Sequence, residues 1–509
     1  MGNLLPSYKK AVIDDIINGV AGNTSQYYAF AANPVGWTGN TPSITSDDYT
    51  TTFSNDWQMI FGKRLSNTNF APIILNNLWV TNTVYNRYDN TVANLTNYYV
   101  ITAPSLPGGD YLVYKCIDNA NGAPSIQIPD QVQSASFTKS DGYTWRYITS
   151  ISAVNYTNFY TSTYAPIYAN ATTVASAYNY SGVEVIMINN GGVNYNSYND
   201  GIVRGIVNST VIQIESTAST DNDFYTKNGI YIYNVSSATS QLRTVSKYVS
   251  NLSGNWVYLD SAANTSQINP SVTQYKISPK IAFTSDADSQ PAAYTIINPS
   301  TNSIANVVIV DTGYGVSWAN VVVQSNSTYG TGANLYAIVP PAGGHGFNPV
   351  NELKVQGLGV YFTFSNTESS TITTEVGYNK IGLIKNPYLI SNTGTKQSNQ
   401  CYSNTFTTLL KANTSPPTAF TTGLQVVGQT SGAVGTVAFS NTSVLYLTGD
   451  KRFTNNEYIV ATDTTSSTIQ INSVGTIYTK DLYPMYIQNI TNVTRSNNQS
   501  ESYKLIIQM

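Results

Sequence analysis

The chain has 509 residues, of which only 10% are charged, with a formal net charge of −3, one histidine and 40 tyrosines. That balance excludes the basic surplus with which nucleic-acid binders neutralise phosphates, and the abundance of aromatics excludes the charge-rich signature of disordered chains. Asn, Ser and Thr are in large excess over Lys and Glu, and Tyr, Val, Ile and Thr favour strands, so the composition predicts a mainly β protein with Asn/Gly/Ser turns, long enough for about three or four domains.

Taken in order, PSYKKAVIDDIINGVAGN places Val12, Ile13, Ile16, Ile17 and Val20 at helical spacing, with Gly22-Asn23 as the stop. This short N-terminal helix is expected to lie on its own sheet rather than on a partner. No apolar signal-like segment precedes it, and no run of about 18 apolar residues follows, so neither secretion nor membrane insertion is expected. YYAFAANPVGW (27–37) reads as a strand ending at a proline, followed by DWQMIFGKRLSNTNFAPIIL and VYNRYDN (84–90).

DYLVYKCIDN and DGYTWRYITSI, between Asp110 and Ile151, alternate with period two. Leu112, Tyr114 and Cys116 share one face of the first. Tyr143, Trp145 and Tyr147 form an aromatic ridge on the second, and each ring can bury on the order of 150–250 Å². This strand pair is the expected seed of a core. NFYTSTYAPIYAN (158–170) reads as a further strand.

From about residue 183 the texture changes. VEVIMINNGGVNYN is echoed by ANVVIVDTGYGVSWAN (305–320), each an apolar strand, a glycine turn and an aromatic. Ser209–Leu259 reads as five or six short strands, a small barrel or sandwich, and a second module spans Gly423 to about Val474. The expected layout is a core β domain with the helix (1–180), an inserted β region (181–345) containing a barrel-like module (about 208–278), a return to the core (346–395), a second inserted module (396–480) and a terminal strand segment (481–509). Within the last, Lys504–Gln508 is expected to pair with a strand from the N-terminal half, with a place beside Tyr111–Ile117 as the candidate.

Candidate chemistry is sparse. The lone His345 sits among glycines in PPAGGHGFNPVNEL, with Glu352 its nearest carboxylate in sequence. It reads as a turn residue, since a triad or a histidine metal site needs partners. Asp141, Asp221, Asp223 and Asp311 are candidate carboxylates for a glycosidase, but each sits beside a turn that Asp caps. Asp221 and Asp223 also resemble calcium-ligand spacing without the glycine and terminal glutamate such a loop needs. Gly313 and Gly315 follow a strand but lead into another strand, not into a phosphate-binding helix. Cys116 and Cys401 read as free buried thiols or a single pair, and the N-x-S/T triplets at Asn94, Asn155, Asn170 and Asn234 as chance in so polar a chain. No catalytic, cofactor-binding or metal-binding residue is assigned, and no cofactor is expected.

Seven of these stretches, in this order, resemble the baseplate wedge protein family of T-even-like contractile-tailed phages, the gene 8 product family. They are YYAFAANPVGW, MIFGKRLSNTNFAPII, VYNRYDN, DYLVYKCIDN, DGYTWRYITSI, GYNKIGLIKNPYL (377–389) and the terminal MYIQNITNVTRSNNQSESYKLIIQM. PPAGGHGFNPVNEL is similar to a stretch in marine relatives. The resemblance covers about 1–180, 375–390 and 480–509; the regions of about 183–335 and 395–480 depart from it as insertions, and Gln499, Ser500 and Glu501 thin the family's acidic terminal charge. It implies a β-rich structural subunit, not an enzyme, that is made in the host bacterial cytoplasm and resides in the virion. It also implies a homodimer that joins other wedge proteins in a six-fold baseplate. The alternatives are a tail-fibre or surface adhesin binding host glycan through Tyr/Asn-rich loops, which should trimerise and repeat, and then a carboxylate glycosidase.

Overall fold

The structure is a computed structural model that describes residues 4–44, 58–235, 239–298, 300–324, 330–368, 372, 374–390, 396–401, 403–413, 416, 418–449, 453–463, 467–471, 477–479, 483–496 and 498–509. The fold is mainly β, with several antiparallel sheets and a short N-terminal helix. The chain divides into two compact units, one of Met1–Leu75, Thr157–Pro166 and Val355–Met509, the other of Asn76–Tyr156 and Ile167–Lys354.

The stretch 1–180, expected as one domain, therefore supplies strands to both units. Continuous β texture runs through the boundary after Leu75, and only the long-range strand pairing marks it.

In the first unit, a five-stranded sheet runs Thr405–Thr407, Met59–Arg64, Tyr27–Ala32, Tyr378–Lys385, Tyr483–Val493. A four-stranded sheet runs Glu501–Gln508, Gly357–Phe364, Phe70–Leu75, Tyr164–Pro166. All six residues of Tyr27–Ala32 are buried, as its unbroken apolar sequence requires of a strand covered on both faces. Aromatic rings join the sheets edge to face: Tyr27 meets Phe70 at 5.9 Å, and Phe61 meets Phe364 at 4.9 Å. Gly382 is a glycine because a Cβ there would lie 2.3 Å from the Tyr486 carbonyl oxygen and 2.4 Å from the Phe30 ring. The helix Pro6–Ala21 buries Ile13, Ile16 and Val20 and packs on Phe70–Leu75 and Gly357–Phe364, its own sheet.

The terminal strand Glu501–Gln508 pairs with Gly357–Phe364, with Leu505 opposite Val360 and Tyr503 opposite Phe362. It does not lie beside Tyr111–Ile117, which pairs with Tyr99–Thr102 and Tyr143–Ile151 in the other unit. Alternation identifies a strand and its inward face but not its neighbour. Asn158–Asn170 likewise differs from the expected single strand: a helix, Ala153–Phe159, ends there before the three-residue strand Tyr164–Pro166. Six further strands between Leu410 and Gln470 form one sheet around Leu410, Phe420, Val437, Leu447 and Phe453.

In the second unit, Tyr111–Asn119 and Tyr143–Ile151 lie side by side between Tyr99–Thr102 and Phe137–Thr138. Tyr114, Cys116, Tyr143, Trp145 and Tyr147 are buried in one cluster, the expected ridge. The echoed strands Val185–Val193 and Ser303–Asp311 line a second core with Ile281, Ala293, Val321 and Leu335. They approach so closely that a Cβ on Gly191 would lie 2.4 Å from the Ile304 oxygen. Between them, seven strands from Asn199 to Ile277 form one curled sheet around Ile212, Ile230, Val245, Tyr248, Val257 and Tyr275.

Candidate functional site

The densest chemistry lies inside the second unit. Tyr111–Asn119 is buried on both faces from Val113 to Ile117, so its period of two turns Lys115 away from the Tyr114 ridge and still leaves it in the interior. Its side chain has no solvent exposure. On the neighbouring strand Arg146 is opposite Lys115 in register. Glu184 enters just before Val185–Val193. His345 and Glu352 come from the glycine-rich loop and the short helix Pro349–Glu352. Gly343, Gly344 and Gly346 hold φ of 84°, 94° and 83°, which lets the loop fold the histidine inward.

Lys115 Nζ lies 2.6 Å from Glu352 Oε1 and 2.9 Å from His345 Nδ1. His345 Nδ1 is itself 3.0 Å from Glu352 Oε1, and the Gly346 N–H donates to Glu352 Oε2 at 2.7 Å. The Tyr88 ring closes the far side of the ammonium, 3.2 Å from Nζ to its centroid, a cation–π contact. Arg146 donates to Glu184 Oε1 at 2.7 Å, and Glu184 Oε2 lies 3.8 Å from His345 Nε2. With the Lys115 ammonium donating to Nδ1, the imidazole proton is assigned to Nε2, facing Glu184 Oε2.

Burial pushes the Lys115 ammonium down to about 8, against the pull of Glu352. Burial, with Lys115 beside it, pushes His345 down to about 4. Burial works to raise Glu352, but Lys115 and His345 overcome it and hold the carboxyl near 2. At neutral pH two cations, Lys115 and Arg146, face two anions, Glu184 and Glu352, around a neutral histidine. The charges are balanced, as buried ions must be.

The histidine carries a pH dependence. Below pH 6.5 the unfolded chain takes up a proton that the folded His345 refuses until about pH 4. Stability should thus be intact above pH 6.5 and fall through that window, by about 3 kcal/mol for this group. Denaturant unfolding at stepped pH should show the loss, and His345→Gln should flatten that segment. Equal slopes in the two proteins would refute it.

The other expected positions do not join this network. Asp141 accepts from the Ile126 and Gln127 N–H groups, both at 2.9 Å, and from Ser125 Oγ at 3.2 Å. Burial would raise its carboxyl, but these bonds hold it below the usual range. Asp221 and Asp223 stand in a turn, where Thr226 Oγ1 donates to Asp223 at 3.0 Å. Asp311 accepts from Lys227 and from the Gly313 N–H, each at 3.0 Å. Gly313 and Gly315 take φ of 65° and 74° in a turn between strands. Cys116 and Cys401 are both free and buried. Among the described residues no group of three or more His, Cys, Asp or Glu is placed to hold a metal ion.

The turn reading of His345 is correct for the backbone and incomplete for the side chain, which is buried against Glu352, the carboxylate noted in sequence. Lys115, Arg146, Glu184 and Tyr88 were not singled out. The readable signal was a lysine between Val113 and Ile117 on an otherwise apolar face.

A second network lies in the first unit, buried at Asn33 and Asn379 and reaching the surface at Asn492. Asn33 Nδ2 donates to Asn379 Oδ1 at 2.6 Å, and Asn379 Nδ2 donates to Asn492 Oδ1 at 3.2 Å. Trp37 Nε1 donates to the Ile490 carbonyl at 2.8 Å. No protein-family model and no curated protein matches the chain.

Proposed function

We propose that the chain is a structural subunit of a contractile phage tail baseplate wedge, a homodimer that links other wedge proteins of a six-fold baseplate in the virion. The observation that supports this reading is where the resembling stretches meet. Asn33, Asn379 and Asn492 belong to YYAFAANPVGW, GYNKIGLIKNPYL and the terminal stretch, and share one network. Tyr88, Lys115, Arg146 and His345 with Glu352 belong to VYNRYDN, DYLVYKCIDN, DGYTWRYITSI and PPAGGHGFNPVNEL, and meet in the other. MIFGKRLSNTNFAPII supplies the strand Met59–Arg64 and all but the last residue of Phe70–Leu75, interior strands of the five-stranded and the four-stranded sheet of the first unit. Residues hundreds of positions apart thus hold one another across the fold. The lysine, histidine and glutamate are shut from solvent, an arrangement suited to holding strands rather than receiving a substrate.

Light scattering on the purified chain should give twice its 55.2 kDa mass. Isolated baseplates of the encoding phage should contain it in a multiple of six copies by quantitative mass spectrometry. A monomer absent from baseplates would overturn the reading, and a trimer retained on a host-glycan array would replace it with the adhesin.

A further inference from the structure

The network is set up for chemistry within the chain. Lys115 Nζ, a nucleophile once deprotonated, lies 2.6 Å from an oxygen of the Glu352 carboxyl. One nitrogen, His345 Nδ1, lies within reach of both the Nζ and that same oxygen, at 2.9 and 3.0 Å. The other carboxyl oxygen rests on the Gly346 N–H at 2.7 Å, where negative charge developing on the carbonyl would be held. The Lys115 and Glu352 side chains are 0% and 2% exposed, so bulk water, which favours amide hydrolysis, is kept away. We infer that Lys115 and Glu352 condense to an internal isopeptide bond, with His345 carrying the protons.

The resting pair is an ammonium and a carboxylate. One proton moves from Nζ through His345 Nδ1 to Glu352 Oε1, leaving a neutral amine beside a neutral acid. The Nζ lone pair attacks Cδ, and the C=O electrons move onto Oε2 against the Gly346 N–H. A second Nζ proton passes through Nδ1 to Oε1, the Cδ–Oε1 bond breaks, and one water leaves. The sum is ammonium plus carboxylate giving amide plus water, with no oxidant or co-reactant. Burial favours the neutral amine, drawing Lys115 down to about 8. The low position of Glu352 opposes the first transfer and makes the reaction a slow maturation. Two groups can receive the expelled water: Glu184 Oε2, which has no hydrogen-bond partner among the described residues, and the facing His345 Nε2. The product also replaces two desolvated charges by a neutral amide, removing their burial penalty.

The test is the intact mass of the full-length chain, measured under denaturing conditions after prolonged incubation in the folded state. The expected result is a mass lower by one water, with a proteolytic fragment joining the Lys115 and Glu352 peptides. Lys115→Arg keeps a cation opposite Glu352 and so keeps the fold, but should retain its full calculated mass. His345→Gln should link roughly 100-fold more slowly. A folded wild-type chain at its full unmodified mass would overturn the proposal. So would a Lys115→Arg chain that still loses water. The outcome is independent of whether the protein sits in a baseplate.

Discussion

A chain ending at Ser500 should fail to complete its first unit, with lower soluble yield and early melting followed by circular dichroism. The missing strand, Glu501–Gln508, pairs along all of Gly357–Phe364. It buries Leu505 and packs Tyr503 against Phe362, Phe364 and Tyr378. The apolar burial lost with Tyr503, Leu505 and Ile507 is worth about 5 kcal/mol. Glu501 is also the partner of Arg495, a guanidinium with 0% side-chain exposure, bonded at 3.1 and 3.2 Å. Stripping the partner from a buried ion adds about 3–5 kcal/mol. The total is comparable to the whole net stability of a domain. Truncation would also leave Gly357–Phe364 as an open apolar edge prone to aggregation. A truncated chain that melts with the full-length protein would show that the strand is dispensable.

Glu352→Ala should be nearly as damaging to the second unit. It leaves the Lys115 ammonium with the His345 nitrogen and the Tyr88 ring but no anion of its own, and removes the acceptor of the Gly346 N–H. Breaking such a buried pair from one side costs about 3–5 kcal/mol. Lys139 and Asp130 supply the control, since their ion pair sits at the surface with Asp130 62% exposed. Asp130→Ala should change stability by no more than about 1 kcal/mol. Denaturant unfolding of the two variants should separate them clearly, and equal midpoints would refute the assignment of weight to the buried network.

Local pattern carried the reading where the physics is local. The alternation around Tyr114 and Trp145 predicted a buried strand pair, and the spacing of Ile13, Ile16 and Val20 predicted the buried face of a helix; both elements are present. Dense turn signals identified the strands around Tyr248 and around Val437. What sequence concealed is long-range. The terminal strand chose Gly357–Phe364 because its ring layer was complementary, and an isolated strand does not display that. The boundary after Leu75 carries no shift in composition. The site was half visible: His345 and Glu352 stood out as residue types, but Lys115 comes 230 positions before the histidine it bonds, and only folding joins them. Arg146 was silent because a charged residue on a strand ordinarily points to water, and Glu184 because it stands just before the strand Val185–Val193, where no alternation assigns it a face.

The division of the chain also sets a schedule for its synthesis. Everything the second unit needs has left the ribosome once Lys354 emerges, whereas the first unit still awaits its last residues. Tyr27–Ala32 can meet Met59–Arg64 early, but its other edge is covered only by Tyr378–Lys385. At about 5–20 residues per second that wait lasts roughly 20–70 s. During it, six consecutive apolar residues stay half-clothed, a segment on which a nascent-chain chaperone would be expected to sit. The middle of the chain can thus fold first, while the strands made before it wait for the segment from Val355 onward to complete the first unit.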